Sequence, residues 1–85
     1  RTVFSAGIGE IEVYELVIPA DWQGKRLDDL IKCNTCKPLA ITRAGRAFLP
    51  DMSTMLEGGD LLNVAATFDG INDTRNQLHH TRKAG

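Results

Sequence analysis

The pair Cys33 and Cys36 is the sharpest chemical signal in the sequence. Two thiols at this spacing can share a metal ion, and they can also cycle between dithiol and disulfide when the first thiolate is stabilised. They follow a short helix predicted at 27–31, whose C-terminal end disfavours an anion. A zinc site needs two further ligands, and the histidines His79 and His80 are neighbours that point apart on a helix. We therefore expect a partly buried free thiol pair and assign no metal ligands, with metal binding and redox cycling as the alternatives.

A second candidate site surrounds a tight turn. Arg43 and Arg46 flank Ala44-Gly45, and Gly45 can adopt the positive φ that a two-residue hairpin loop requires. Two guanidinium groups beside exposed backbone N–H groups suit a phosphate, although both arginines could equally be solvated charges at a hairpin tip. The residues before the turn offer apolar surface for a purine base or a partner subunit: Pro38, Leu39 and Ile41.

The sequence holds no residue set typical of a catalytic site. Ser5 and Ser53 lack a glycine-rich elbow and an evident histidine partner. Gly7-Ile8-Gly9 precedes the first predicted strand and opens no helix, so the context of a dinucleotide-binding loop is missing. Asp28 and Asp29 are explained by the solvated face of a short helix. We expect no enzymatic activity.

Composition limits the remaining classes. The 85 residues form one domain, with 42% apolar and 25% charged residues, as in an ordinary globular protein. Ten basic against eleven acidic residues give a net charge of −1, which argues against nucleic acid as a partner. Two cysteines are too few for a disulfide framework, so the expected location is the cytoplasm.

The apolar spacing predicts four strands and two helices in the order β-α-β-β-β-α. The strands are expected at 11–18, 38–42, 46–49 and 61–66. This order indicates an α+β fold with a small, mostly antiparallel or mixed sheet. Residues 1–10 are expected to be an irregular lead-in from a preceding domain, 11–78 the domain itself, and 79–85 a polar tail.

The second predicted helix begins at residue 68. Thr67 or Asp69 could cap its start, and Gly70 weakens it. Its apolar stripe is expected to consist of Phe68, Ile71 and Leu78.

The first predicted strand is apolar on both faces. Tyr14, Leu16 and Ile18 alternate on one face, and a second apolar set occupies the other. One layer of helices covers only one face, so the other needs a partner, and two-fold symmetry lets the same patch serve both copies. The residues expected at this homodimer interface are Ile11, Val13, Val17, Leu39 and Ile41.

Taken in order, the segments from 13 to 78 resemble the TrkA-C (RCK-C) domain, the C-terminal regulatory domain of Trk-type potassium-uptake proteins. The similarity lies in an ordered set of segments: Val17-Ile18-Pro19, Gly24-Lys25-Arg26-Leu27-Asp28-Asp29-Leu30, Leu39-Ala40-Ile41, Phe48-Leu49-Pro50-Asp51 and Thr54-Met55-Leu56-Glu57-Gly58-Gly59-Asp60-Leu61-Leu62. The Leu-Glu-Gly-Gly-Asp-Leu-Leu segment at 56–62 is the strongest part of this similarity.

The resemblance implies a cytoplasmic, non-enzymatic regulatory domain that forms a homodimer beneath a potassium transporter or channel at the inner membrane. It also implies an upstream domain that binds NAD or an ATP-type nucleotide, with no such cofactor in this domain. Some members bind cyclic di-AMP between two copies, and the matching positions here are Pro38, Leu39 and Arg43. The proline departs from the aliphatic residue of that pattern. The alternatives are a purely structural dimerisation module and a thiol or metal-binding domain that uses Cys33 and Cys36.

Overall fold

A computed structural model describes residues 2–7 and 10–80, and its central feature is an antiparallel sheet of five strands. The strands are β1 (Thr2–Ala6), β2 (Ile11–Val17), β3 (Cys36–Arg43), β4 (Arg46–Phe48) and β5 (Leu61–Ala66), and they lie side by side in the order β1-β2-β5-β3-β4. The helices are α1 (Leu27–Leu30) and α2 (Phe68–His80), with a short 3-10 helix at Ala20–Trp22. Neither helix in this described part is long and apolar enough to cross a membrane. The α+β class and the element order after residue 10 are confirmed.

The sheet has one strand more than predicted, and the difference lies near the start of the chain. Thr2–Ala6 falls within the expected irregular lead-in but forms edge strand β1, which pairs antiparallel with β2. Gly7, at φ 68°, begins the reversal between them. Gly7, which with Gly9 was taken as a sign of irregular chain, is better explained as a turn residue, and Gly9 lies outside the described residues. At the other end, α2 continues through His80, and residues 81–85 of the predicted tail lie outside the described residues.

The core lies between the sheet and the helices. Tyr14, Leu16 and Ile18 are buried on this side, as the alternation in β2 predicts. They pack with alternate residues of β5 and with Ile71 and Leu78 of α2. Phe68 was expected in the same stripe, but it is largely exposed. It is the first residue of α2, and the buried stripe begins at Ile71.

Both helices are capped by side chains close to their first turns. The hydroxyl of Thr67 accepts a hydrogen bond from the Gly70 N–H at 3.0 Å, which confirms one of the two predicted caps of α2. At α1, the Asp29 carboxylate accepts a bond from the Arg26 N–H at 3.0 Å, and Asp28 pairs with the Arg26 guanidinium. Asp28 and Asp29 therefore both stabilise the start of α1 through Arg26.

The loop before α1 contributes the largest core side chain. Trp22, in the 3-10 helix, is fully buried, and its indole N–H donates to the Leu78 carbonyl at 2.8 Å. That carbonyl belongs to the last turn of α2, where backbone acceptors lack partners within the helix. Trp22 therefore links the end of β2 to the end of α2, although its segment is predicted only as a loop.

Glycine is unfavourable in a helix, but a steric constraint explains its presence at position 70 of α2. A Cβ atom there would lie 2.7 Å from both the carbonyl and the hydroxyl oxygen of Thr35, and 3.0 Å from the Cys36 sulfur. Alanine is intrinsically about 1 kcal/mol better than glycine inside a helix. Close packing against the 33–36 segment therefore opposes helix propensity at this position.

We expect Gly70→Ala to lower the free energy of unfolding by about 1–2 kcal/mol, because overpacking outweighs the gain in propensity. Urea unfolding followed by circular dichroism measures the change. Asn76→Ala, at an exposed position of the same helix, is the control and should raise stability by about 0.5 kcal/mol. A stabilised Gly70→Ala protein would contradict the close approach of α2 to this segment.

Candidate functional site

The sheet face that points away from the helices is the first candidate site, and we call it the open face. Antiparallel pairing brings its residues together, with Val13 opposite Ala65 and Val17 opposite Leu61. Ile11 and Val17 keep 45% and 60% of their surface accessible. Among the residues whose side chains are described, the open face consists of Ile11, Val13, Glu15 and Val17 of β2, Leu61, Asn63 and Ala65 of β5, and Lys37, Ala40 and Thr42 of β3. Three of the predicted interface residues, Ile11, Val13 and Val17, therefore share one surface.

The expected role of Ile41 at the interface is wrong because of a β-bulge. Pro38 pairs with Val64 and Ala40 with Asn63, so Leu39 is an extra residue that shifts the alternation of β3 by one. Ile41 then lies opposite Leu62 on the core side and is fully buried. Leu39 stays 37% exposed at the bulge. Strict period-two alternation had placed Leu39 and Ile41 on the same face.

Arg43 is bound by acidic and carbonyl groups of its own chain. Its Nε and Nη2 atoms donate to the two carboxylate oxygens of Asp60 at 2.9 and 2.8 Å, a bidentate pair. Nη2 also donates to the Met55 carbonyl at 3.0 Å, and Nη1 lies 3.2 Å from a carboxylate oxygen of Glu57. The guanidinium carbon stands 5.0 Å from the ring centre of Phe48. Arg43 therefore joins the β3–β4 hairpin to the turn that precedes β5.

Asp60 is the buried half of this cross-link, with 1% of its surface accessible. The Arg43 hydrogen bonds hold the pKa of the Asp60 carboxyl below its ordinary value, against the effect of burial, and the Glu57 N–H adds a further bond at 2.9 Å. The same pair raises the pKa of Arg43. A phosphate at Arg43 would have to compete with two carboxylates of the chain itself.

The predicted ligand residues are spread along β3 instead of lining one pocket. Arg46 is exposed and lies directly opposite Arg43 in the hairpin. The turn between them has φ 51° at Ala44 and 79° at Gly45, as a two-residue type I′ loop requires. Pro38 stands five residues earlier, about 16 Å along an extended strand. There it borders a shallow groove of about 350 Å³ with Cys36, Lys37, Pro50, Asp51 and Met52.

The cysteines lie in a different setting from the predicted one. Helix α1 ends at Leu30, so Cys33 and Cys36 are not at its last turn. Instead the 33–36 segment packs against the first turn of α2, where the Thr67 N–H donates to the Thr35 carbonyl at 3.2 Å. Both thiols are free and half-buried. Within residues 2–7 and 10–80, no group of three or more His, Cys, Asp and Glu side chains is placed to hold a metal ion.

Asp60 is the residue of this site that sequence reasoning missed. It stands in the Leu56-Glu57-Gly58-Gly59-Asp60 turn, where sequence reasoning placed it only within the segment that carries the family resemblance. The available signal was an acidic residue directly before a buried strand, with two arginines at the neighbouring hairpin. Without the strand order β5-β3-β4, the sequence offers no reason to pair them.

Asp60→Asn should lower the free energy of unfolding by about 2 kcal/mol at pH 7, because it removes a charged hydrogen-bonding partner from Arg43. The folded-state pKa of Asp60 is depressed, so its contribution is fully present above the unfolded pKa of about 3.9 and is lost as the pH falls. The difference from the wild type should therefore shrink below about pH 4 in urea unfolding series. Asp69→Asn is the control, with an effect of at most about 0.5 kcal/mol. An equal Asp60→Asn difference at pH 7 and pH 3 would contradict the ionic cross-link.

Comparison with known proteins gives a structural likeness. No family model and no curated protein matches the chain. Among solved structures, 15 chains are similar to it. One is a structure of an RCK domain with cda, which matches with a TM-score of 0.61 at 18% sequence identity and covers 79% of this chain and 97% of that chain. The chain has the fold of an RCK domain.

Proposed function

We propose that this chain is a non-enzymatic regulatory domain of a potassium transport system, which acts by pairing with a second copy of itself through the open face. The observation that carries the proposal is the apolar character of that face, with Val17 and Ile11 accessible on strands whose other side is already a packed core. The RCK-type fold supports the link to potassium transport. The expected setting is cytoplasmic, against a transporter or channel subunit of the inner membrane, with a nucleotide-binding domain upstream.

A second copy fits the open face better than a charged partner would. Its centre is made of small and aliphatic residues, including Val13, Ala40 and Ala65, and its charged residues, Glu15 and Lys37, are of opposite sign. Small side chains let two sheets approach to about 10 Å, the usual sheet-to-sheet distance. A standard interface buries about 800 Å² on each partner. Two-fold symmetry places the same apolar strip on both sides.

Regulation requires that the dimer has more than one arrangement. A ligand or an upstream domain can shift such an equilibrium only by its different affinity for the two arrangements. In this proposal the open face provides the contact that is rearranged. Transport activity itself belongs to the membrane partner.

Val17→Glu should weaken the dimer by roughly a hundredfold or more, because each copy would bury an unpaired carboxylate. Sedimentation equilibrium over a wide range of protein concentration measures this, with the wild type reaching twice the chain mass of 9.3 kDa. Phe68→Glu is the matched control, since Phe68 is 71% exposed on the helical side, and it should leave the dimer intact. A wild type that stays monomeric at high concentration would contradict the proposal.

The proposed effector is cyclic di-AMP, and the RCK domain of similar fold is described with cda. Because Asp60 and Glu57 already neutralise Arg43, we assign the phosphate contact to the exposed Arg46. Pro38 and Leu39 offer the apolar surface for a base, Leu39 as the outward residue of the bulge. Arg43 then holds the hairpin that presents Arg46.

Because Arg43 is already bound to Asp60 and Glu57, a second function is also favoured, namely a purely structural dimerisation module that binds no small ligand. A thermal-shift titration with cyclic di-AMP separates the two. Effector binding at a hundred times the Kd stabilises by about 2.7 kcal/mol, which corresponds to a rise in Tm of about 11–22 °C for a domain of this size. We expect that rise for the wild type and for the control Lys32→Ala, and its loss in Arg46→Ala. If cyclic di-AMP does not raise the melting temperature of the wild type, the purely structural dimerisation module is the function that remains. The prediction of a dimer is unaffected by that result.

A further inference from the structure

The two cysteines both contact the start of α2, and the proposed function does not use them. Residues 33–36, which we call the thiol segment, connect α1 to β3. The Cys33 thiol is directed at the Gly70 carbonyl, and the Cys36 sulfur lies against the Thr74 hydroxyl, which donates to that same carbonyl. Two free thiols that are separated by two residues and directed at one turn of a helix are placed to form a disulfide.

The surroundings of the two sulfur atoms differ. Cys33 lines a cleft of about 360 Å³ between the α1 end and α2, together with polar residues that include Lys32, Asp73 and Asn76. Its thiol has a weak contact of 3.9 Å to the Gly70 carbonyl. The Cys36 sulfur lies 3.2 Å from the hydroxyl of Thr74, which is itself buried and donates to the Gly70 carbonyl at 2.9 Å. A small solute can therefore reach Cys33 through the cleft. Cys36 borders the groove at Pro38, but its sulfur is held against α2 by the Thr74 hydroxyl.

The pKa values of the two thiols also differ, with Cys33 as the more acidic thiol. Burial alone would raise the pKa of Cys33, but hydrogen bonds from the Thr35 hydroxyl and N–H and from Cys36 outweigh it, so this pKa lies below its ordinary value. Burial raises the pKa of Cys36 to about 11, and contact with Cys33 and the charge of Asp73 add to this effect. The accessible thiol is thus the better thiolate, and the held thiol stays protonated.

We propose that Cys33 and Cys36 are a redox-active dithiol, in which Cys33 attacks a low-molecular-weight disulfide and Cys36 resolves the product. The Cys33 thiolate attacks one sulfur of the disulfide, forms a mixed disulfide and releases one thiolate. Cys36 gives its proton to that thiolate and attacks the Cys33 sulfur, which releases the second thiolate of the reagent. This second thiolate takes up from water the proton that Cys33 lost when it ionised. The protein dithiol is oxidised by two electrons, and the reagent is reduced to two thiols.

A Cys33–Cys36 disulfide would form at the junction of three elements, α1, β3 and α2. The thiol segment follows α1, leads into β3 and touches the first turn of α2 through Thr35 and Gly70. Oxidation would close a tight ring in this segment without involving the open face. The inference therefore stands independently of the proposed function.

Alkylation of the unmodified protein tests the asymmetry without a variant. At pH 8, a thiol with a pKa of about 11 is about 0.1% thiolate, whereas Cys33, whose pKa is lowered, has the larger thiolate fraction. The more acidic thiolate is intrinsically less reactive, but its larger fraction and its position in the cleft outweigh this, so Cys33 should react with iodoacetamide several-fold faster than Cys36. Peptide mass spectrometry assigns the two sites. Equal rates, or a faster Cys36, would overturn the proposed roles.

Oxidised glutathione tests the exchange itself on the full chain. The wild type should lose the mass of two hydrogen atoms and yield a Cys33–Cys36 disulfide that dithiothreitol reverses. Cys36→Ser should accumulate a glutathione adduct on Cys33, whereas Cys33→Ser should form little adduct. Circular dichroism of both variants confirms the fold. No oxidation of the wild type, or disulfides formed only between chains, would overturn the proposal.

Discussion

Strands β2 and β5 carry apolar side chains on both faces of a sheet that has helices on only one. In β2, Leu16 turns into the core while Val17, the next residue, points to the open face with 60% of its surface accessible. Neither strand can be rotated to hide both sets, because side chains alternate strictly along a regular strand. Trp22, α1 and α2 cover one face of the sheet. A second copy of the chain is the simplest cover for the other, and the proposed regulatory role depends on that contact.

Local patterns were enough to predict most of the elements. Strand β5 has the predicted bounds, because Leu61–Ala66 is an apolar run, interrupted only by Asn63, between a Gly-Gly-Asp turn and a helix cap. The Ala44-Gly45 hairpin and the Thr67 cap follow from residue types with a direct backbone consequence. The core face of β2 followed from alternation alone. Each of these features depends on neighbours within a few positions.

Features that depend on distant residues were not predictable. The bulge at Leu39 reverses the faces of β3, and its cause lies in the register with β5, so Ile41 was assigned to the wrong surface. Asp60 is bound to Arg43 only because β5 and the β3–β4 hairpin are neighbours in the sheet. Trp22 reaches Leu78 across 56 positions. The thiol segment differs from its predicted setting for the same reason, since it packs against α2 and not only beside the end of α1.

The most direct test of the central claim is the solvent accessibility of individual methyl groups at high protein concentration. A soluble paramagnetic agent, used in methyl NMR, relaxes the groups that water can reach. Burial of the open face predicts that the Val13 and Val17 methyls are protected while those of Leu49, 87% exposed in the single chain, relax fully. Strong relaxation of Val17, equal to that of Leu49, would show that nothing covers this face and would contradict the account.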